Sequence, residues 1–96
     1  MLSELKQRLR ITWTEDDAVL NEMLEGSKAY LEELTGTSFD YSTNHRAKEL
    51  VLERCRYVFN NAGDEFEKNY KSELQRFILT IALEKERLAN ETTTSG

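Results

Sequence analysis

Apolar positions recur at steps of three and four through most of the chain, and this period predicts helices rather than strands. The first is short, over about 4–10, with Leu2, Leu5 and Leu9 on one side and Ser3 as its N-cap. The second starts at Thr14 and ends at Thr35-Gly36. Its stripe is Leu20, Leu24, Ser27, Leu31 and Leu34, widened by Val19, Met23 and Tyr30. Gly36 suits a left-handed C-cap. The third helix, capped by Ser42 or Thr43, runs to about Asn61. It follows Ala47, Val51, Cys55, Val58 and Ala62, with Leu50, Leu52, Tyr57 and Phe59 beside them. So wide an apolar surface marks it as the central helix, and Cys55 as a small core residue. Phe39 and Tyr41 are expected to pin the preceding polar loop onto that core.

Gly63 is expected to end the third helix, and Asp64 to open a short turn carrying Phe66 and Tyr70. The fourth helix opens on Ser72 and Gln75, a capping-box spacing. It follows Leu74, Ile78, Ile81 and Leu88, with Phe77, Leu79 and Leu83 as side contacts and Lys85 interrupting the stripe. From Asn90 the chain reads "NETTTSG", polar throughout. The expected organisation is one helical domain at 1–89 and a flexible polar tail at 90–96. The fold class is all-α, a small bundle of about four helices with short connections.

The joint "TWTEDD", residues 12–17, carries the densest chemistry. Thr14 and Asp17 have capping-box spacing, and Trp13 is placed to staple onto Ala18. Glu15, Asp16 and Asp17 then fill the first turn of a helix, where each carboxylate is favoured by about 0.3–1 kcal/mol. A metal site would need further ligands converging there. The one His, His45, has no such spacing and falls near the first turn of the third helix, exposed. Lys6, Arg8 and Arg10 read in the same way, as cations near the C-terminal end of the first helix.

Composition narrows the function. The chain has 96 residues, enough for one domain, with four Gly and no Pro to interrupt long helices. A compact chain of this length has a radius of gyration of about 12 Å. The net charge of −5 and pI of about 4.9 argue against a protein built to grip phosphates. A single Cys points to a reducing cytoplasm. No apolar run has the ~20 residues a membrane span needs, and the N-terminus lacks the apolar region of a signal peptide. There is no Gly-rich phosphate loop, H-E-x-x-H, CxxC or nucleophile elbow. No catalytic residue, cofactor site or metal ligand is assigned, and an enzyme is not expected.

The segment "LKQRLRITWTEDDAVLNEMLEGSKAYLEELTG", Leu5 to Gly36, resembles the head–tail connector (adaptor) proteins of long-tailed bacteriophages. The shared pattern is a short helix with Leu5, Lys6, Leu9, Arg10 and Ile11, then the pair Asp16-Asp17. A helix with Leu20, Leu24 and Tyr30 follows, ending on Thr35-Gly36. "YVFNNAGDEFEKNYKSEL", Tyr57 to Leu74, is similar to versions from phages of Gram-positive hosts. The likeness covers roughly Leu5 to Leu83, and its specificity lies in the order and spacing of ordinary helix signals. It implies a structural subunit of the virion neck, without enzymatic activity, assembled in the bacterial host cytoplasm. Such subunits form a ring, commonly of twelve, below the portal protein. The ring extends the channel through which duplex DNA passes and docks the next neck or tail-completion protein.

One feature of the residues fits a ring. On the second helix, the face opposite the leucines carries Ala18, Glu22, Glu25 and Ala29, where small residues permit a close neighbour. This second stripe is a candidate subunit interface; the plain reading is a solvated acidic face. The main rival function is a small cytosolic helical regulator binding one protein partner. A helix-turn-helix DNA binder is weaker, because the helix after Ile11–Thr14 starts acidic where phosphates would lie.

Overall fold

The computed structural model describes the backbone of residues 1–94 and the side chains of residues 1–90. Among the described residues the chain is helical with no strands: α1 (Leu2–Leu9), α2 (Asp17–Thr35), α3 (His45–Phe59), α4 (Gly63–Asn69) and α5 (Lys71–Thr94). The all-α expectation holds, with five helices in place of about four. The extra one is α4, which reads in sequence as a short turn.

α3 is the central helix, packing on α1, α2 and α4. Ala47, Leu50, Val51, Leu52 and Cys55 from α3 meet Leu20, Leu24 and Leu31 of α2, Leu5 of α1, and Ile11 just beyond it. Phe66 of α4 and Leu74 and Phe77 of α5 complete the buried cluster. Phe39 and Tyr41 pack against it, as their loop position suggests, and Phe39 lies 5.4 Å from the Phe77 ring. Burying one large aliphatic or aromatic side chain contributes about 1.5–3 kcal/mol, so this cluster is what holds the helices together.

Several helix ends differ from the sequence reading. α1 starts one residue before Ser3, with Met1 at its N-cap. Its C-cap is Arg10, in the left-handed region at φ 60°. α2 starts at Asp17 rather than Thr14. Residues 14–16 form a turn in which the Thr14 carbonyl accepts from the Asp17 amide at 3.1 Å. Trp13 is no staple: it is 46% exposed, and its Nε1 donates to Asp16 Oδ2 at 2.8 Å. Asp17 spends its carboxylate on Lys6 Nζ, 2.7 Å away. Asp16 and Asp17 are thus tied by side-chain partners, and Thr14 and Asp17 do not make a capping box.

The third helix is capped by Asn44, whose Oδ1 accepts from the Ala47 amide at 3.0 Å. Ser42 is unavailable as a cap because its amide and hydroxyl both donate to Asp40 Oδ1. α3 ends at Phe59, and Asn61, at φ 58°, supplies the left-handed residue expected of Gly63. Gly63 instead begins α4. α5 starts at Lys71, so Ser72 lies within it, and the Leu74 amide donates to the Tyr70 carbonyl at 2.8 Å.

Gly36 does cap α2, at φ 65°, with its amide on the Glu32 carbonyl. Lys85, an apparent break in the α5 stripe, donates from Nζ to the Thr35 and Gly36 carbonyls at 3.0 and 2.9 Å. A cation there satisfies the unpaired end of α2 and suits its dipole. The molecule measures 55 × 25 × 17 Å, with a radius of gyration of 15.6 Å, above the 12 Å of a compact chain. The excess comes from α5, whose described side chains from Ala82 to Asn90 are all exposed. The expected tail at 90–96 overlaps the end of this helix; residues 95 and 96 lie outside the described residues.

Candidate functional site

Three parts of the surface carry enough chemistry to be considered as sites. The first is the ionic seam between α1 and α3. Arg8 donates to Glu49 at 2.8 Å and to Glu53 at 3.2 Å, and Lys48 pairs with Glu4 at 2.7 Å. Glu53 is the hub. It also accepts from Arg56 at 3.0 and 3.1 Å and from the Tyr70 hydroxyl at 2.7 Å. The Arg56 guanidinium, helped by Tyr70 and Arg8, holds the Glu53 carboxyl down to about 2 despite partial burial. Burial, with Glu53 as its acceptor, pushes Tyr70 up to about 12.

This seam settles the fate of the basic cluster. Lys6 and Arg8 are spent on intramolecular carboxylates, whereas Arg10 caps α1 with its backbone and keeps its side chain exposed. A cleft of about 420 Å³ beside the seam is lined by His45, Arg46, Glu49, Glu53, Tyr70 and Glu73 among others. Its acids are committed to ion pairs or open to water. Among the described residues, no group of three His, Cys, Asp or Glu is placed to hold a metal ion.

The second part is the polar network inside α2–α3. Ser27, which interrupts the leucine stripe, is buried, and its Oγ accepts from Arg54 at 3.0 Å and from the Cys55 thiol at 3.4 Å. Arg54 also lies 4.3 Å over the Tyr30 ring, and the Tyr30 hydroxyl donates to Glu67 at 2.6 Å. Burial pushes both the Cys55 thiol and the Tyr30 hydroxyl up, Tyr30 to about 12. A buried, protonated thiol is a packing group and a poor nucleophile. The network satisfies its own polar atoms and leaves nothing aimed at a ligand.

The third part is the outward surface of α2 and α5. Ala18, Glu22, Glu25 and Ala29 share the exposed face of α2, opposite the buried Leu20, Leu24, Ser27 and Leu31. Gly26 and Glu33 are exposed beside them. Glu25 is partnered by Lys28 at 3.2 Å. The sequence reading missed the corresponding surface on α5. Leu79, Leu83 and Leu88, expected to pack, are 59%, 56% and 50% exposed, whereas Phe77, expected at the side, is buried. Leu34, at the end of the α2 stripe, is 40% exposed. It lines a shallow groove with Tyr30, Leu74 and Ile78, rimmed by Lys68 and Lys71. Exposed aliphatic residues at this density suit contact with other proteins better than chemistry on a small molecule.

No curated protein and no solved structure matches the chain. Residues 1–95 match the family described as phage gp6-like head-tail connector protein. That span takes in all five helices, the ionic seam and both outward faces. It agrees with the resemblance carried by the segments Leu5–Gly36 and Tyr57–Leu74. Such proteins are structural components of the virion neck, assembled with other head and tail proteins. The chain belongs to the phage gp6-like head–tail connector family.

Proposed function

We propose that this connector subunit closes into a ring of about twelve copies below the portal protein, as closed cyclic symmetry favours for identical subunits. The ring extends the DNA channel and offers a docking surface to the downstream neck or tail-completion protein. Assembly takes place in the bacterial host cytoplasm. The observation that carries this reading is the family match across residues 1–95. The structure supports it through faces rather than pockets: exposed, outward-turned residues on α2 and α5, and a core that is already complete without them.

Ala18, Glu22, Glu25 and Ala29 are assigned to the subunit contact, because Ala18 and Ala29 on an exposed face let a neighbouring helix approach closely. Duplex DNA passes through without specific binding. It carries one negative charge per roughly 1.7 Å, and a ring multiplies the −5 charge of each subunit, so the summed field repels it. Lys6 and Arg8, already in ion pairs, do not offset that repulsion at short range. No step of this role needs a catalytic group or a cofactor.

Sedimentation of the purified chain, alone and with its portal protein, tests the ring. Limited contact area per subunit makes assembly dependent on concentration and on the portal. The expected outcome is a low mass for the dilute free chain and a single large closed species on the portal. A chain that stays monomeric with the portal at high concentration overturns the ring.

A further inference from the structure

We infer that the contact between neighbouring copies is made by Leu79 and Leu83 of α5 in one subunit, seated in the outer face of α2 around Gly26 in the next. This inference rests on the ring reading and adds the surface that α2 meets.

Leu79 and Leu83 are one turn apart, so they form a ridge along α5. The ridge points away from Phe77 and Ile81, which face the core. More than half of each leucine lies in water, so the pair contributes little to packing within its own subunit.

Gly26 is the second observation, and it is independent of the first. It lies inside α2, where glycine costs about 0.5–1 kcal/mol relative to alanine. Its backbone does not require it, since among the described residues the glycine at positive φ is Gly36. Crowding does not require it either, since a Cβ built there meets nothing within 4 Å. Close approach of another chain's side chains gives that glycine a reason.

The spacings match. Glu22, Glu25, Gly26 and Ala29 stand at i, i+3, i+4 and i+7, the four corners of a hole that accepts a knob from a facing helix. Ala18, Asn21, Glu22 and Glu25 form the next hole along. The two holes are four residues apart, as are Leu79 and Leu83.

The charges match as well. Arg76, exposed and one turn before Leu79, meets a face that carries Glu22, Glu25 and Glu33. Because ridge and holes are different surfaces, the contact can repeat head-to-tail from copy to copy, and it closes into a ring when the rotation between neighbours allows.

Disulfide trapping tests the contact. One full-length variant carries Gly26→Cys and a second carries Leu83→Cys; Cys55 is buried in both. Mixed at high concentration under mild oxidation, they are expected to shift to twice the monomer mass, while each alone does not. Gly26→Leu, which introduces a strong helix former, is expected to retain helicity and lose the large species formed on the portal. Equal cross-linking by each variant alone overturns the contact. So does normal assembly by Gly26→Leu, or a wild-type ring with no mixed dimer; either leaves the ring reading standing. Mixed dimers with no closed species on the portal support the contact and overturn the ring. A wild-type chain that neither assembles nor cross-links as the mixed pair overturns both.

Discussion

As far as Ile81, α5 behaves as α2 and α3 do. Leu74 and Phe77 are buried, and Ile78 and Ile81 are partly covered. From Ala82 to Asn90 the same helix continues with every described side chain exposed. The two halves have similar residue spacing and opposite surroundings. The inner half is held by tertiary packing, which supplies most helix stability in proteins. The outer half takes part in no core, although it carries Leu83 and Leu88. Amphipathic spacing therefore marks a helix that has a preferred side. It does not say whether the partner for that side lies in the same chain.

The sharpest way to break this comparison is to truncate one side chain in the core that holds the inner half and one on the exposed outer half. Phe66→Ala, in the core, is expected to cost about 3–5 kcal/mol, read as a lower urea midpoint with unchanged slope. If Phe66→Ala leaves the midpoint within error, α4 is not part of the core.

Next in size is the ionic seam that fastens α3 to α1 and to Tyr70. Glu53→Gln is expected to cost about 1–3 kcal/mol, because two guanidinium groups and a hydroxyl lose a charged acceptor. The pH dependence has a definite sign. The Glu53 carboxyl titrates at about 2 in the fold, below its ordinary value of 4.5. Its contribution is therefore complete above the ordinary value and is lost as pH falls from there toward about 2. Thermal melts across that window are expected to lose more stability in the wild type than in Glu53→Gln. Parallel losses would remove Glu53 from the account of acid sensitivity.

The smallest effect is expected on the outer ridge. Leu83→Ala in the free subunit should change stability by no more than about 0.5 kcal/mol, since more than half of the side chain is already in water. A core-sized loss would show that the outer half of α5 folds back onto its own subunit.

The sequence made the inner architecture legible wherever one residue has one plausible role. Gly36 at the end of α2 and Cys55 in the middle of the α3 stripe are such cases, and both are placed as expected. Helix starts were harder, because several polar residues compete for each end. Asp40 takes Ser42 and leaves the cap to Asn44, and Lys6 takes Asp17 and leaves Thr14 in a turn. Those outcomes depend on groups brought together by folding. At the candidate assembly surface, the spacing of Ala18, Glu22, Glu25 and Ala29 was readable, and the structure finds all four exposed. The α5 ridge, on the side of the helix away from Phe77 and Ile81, was not, because a helix apolar on several sides leaves open which side is covered. The role of Lys85 was hidden in the same way, since its acceptors are 49 and 50 residues away.

Those two hydrogen bonds from Lys85 also give α5 the mechanics of a lever. They form a joint with the end of α2, and the helix continues nine residues past it to Thr94, a reach of about 13 Å at 1.5 Å per residue. A force applied at the far end acts on the joint through that whole arm. A small rotation at Lys85 becomes a larger sweep at the tip, so the joint at Thr35 and Gly36 sets how stiffly the projecting end of the subunit is held.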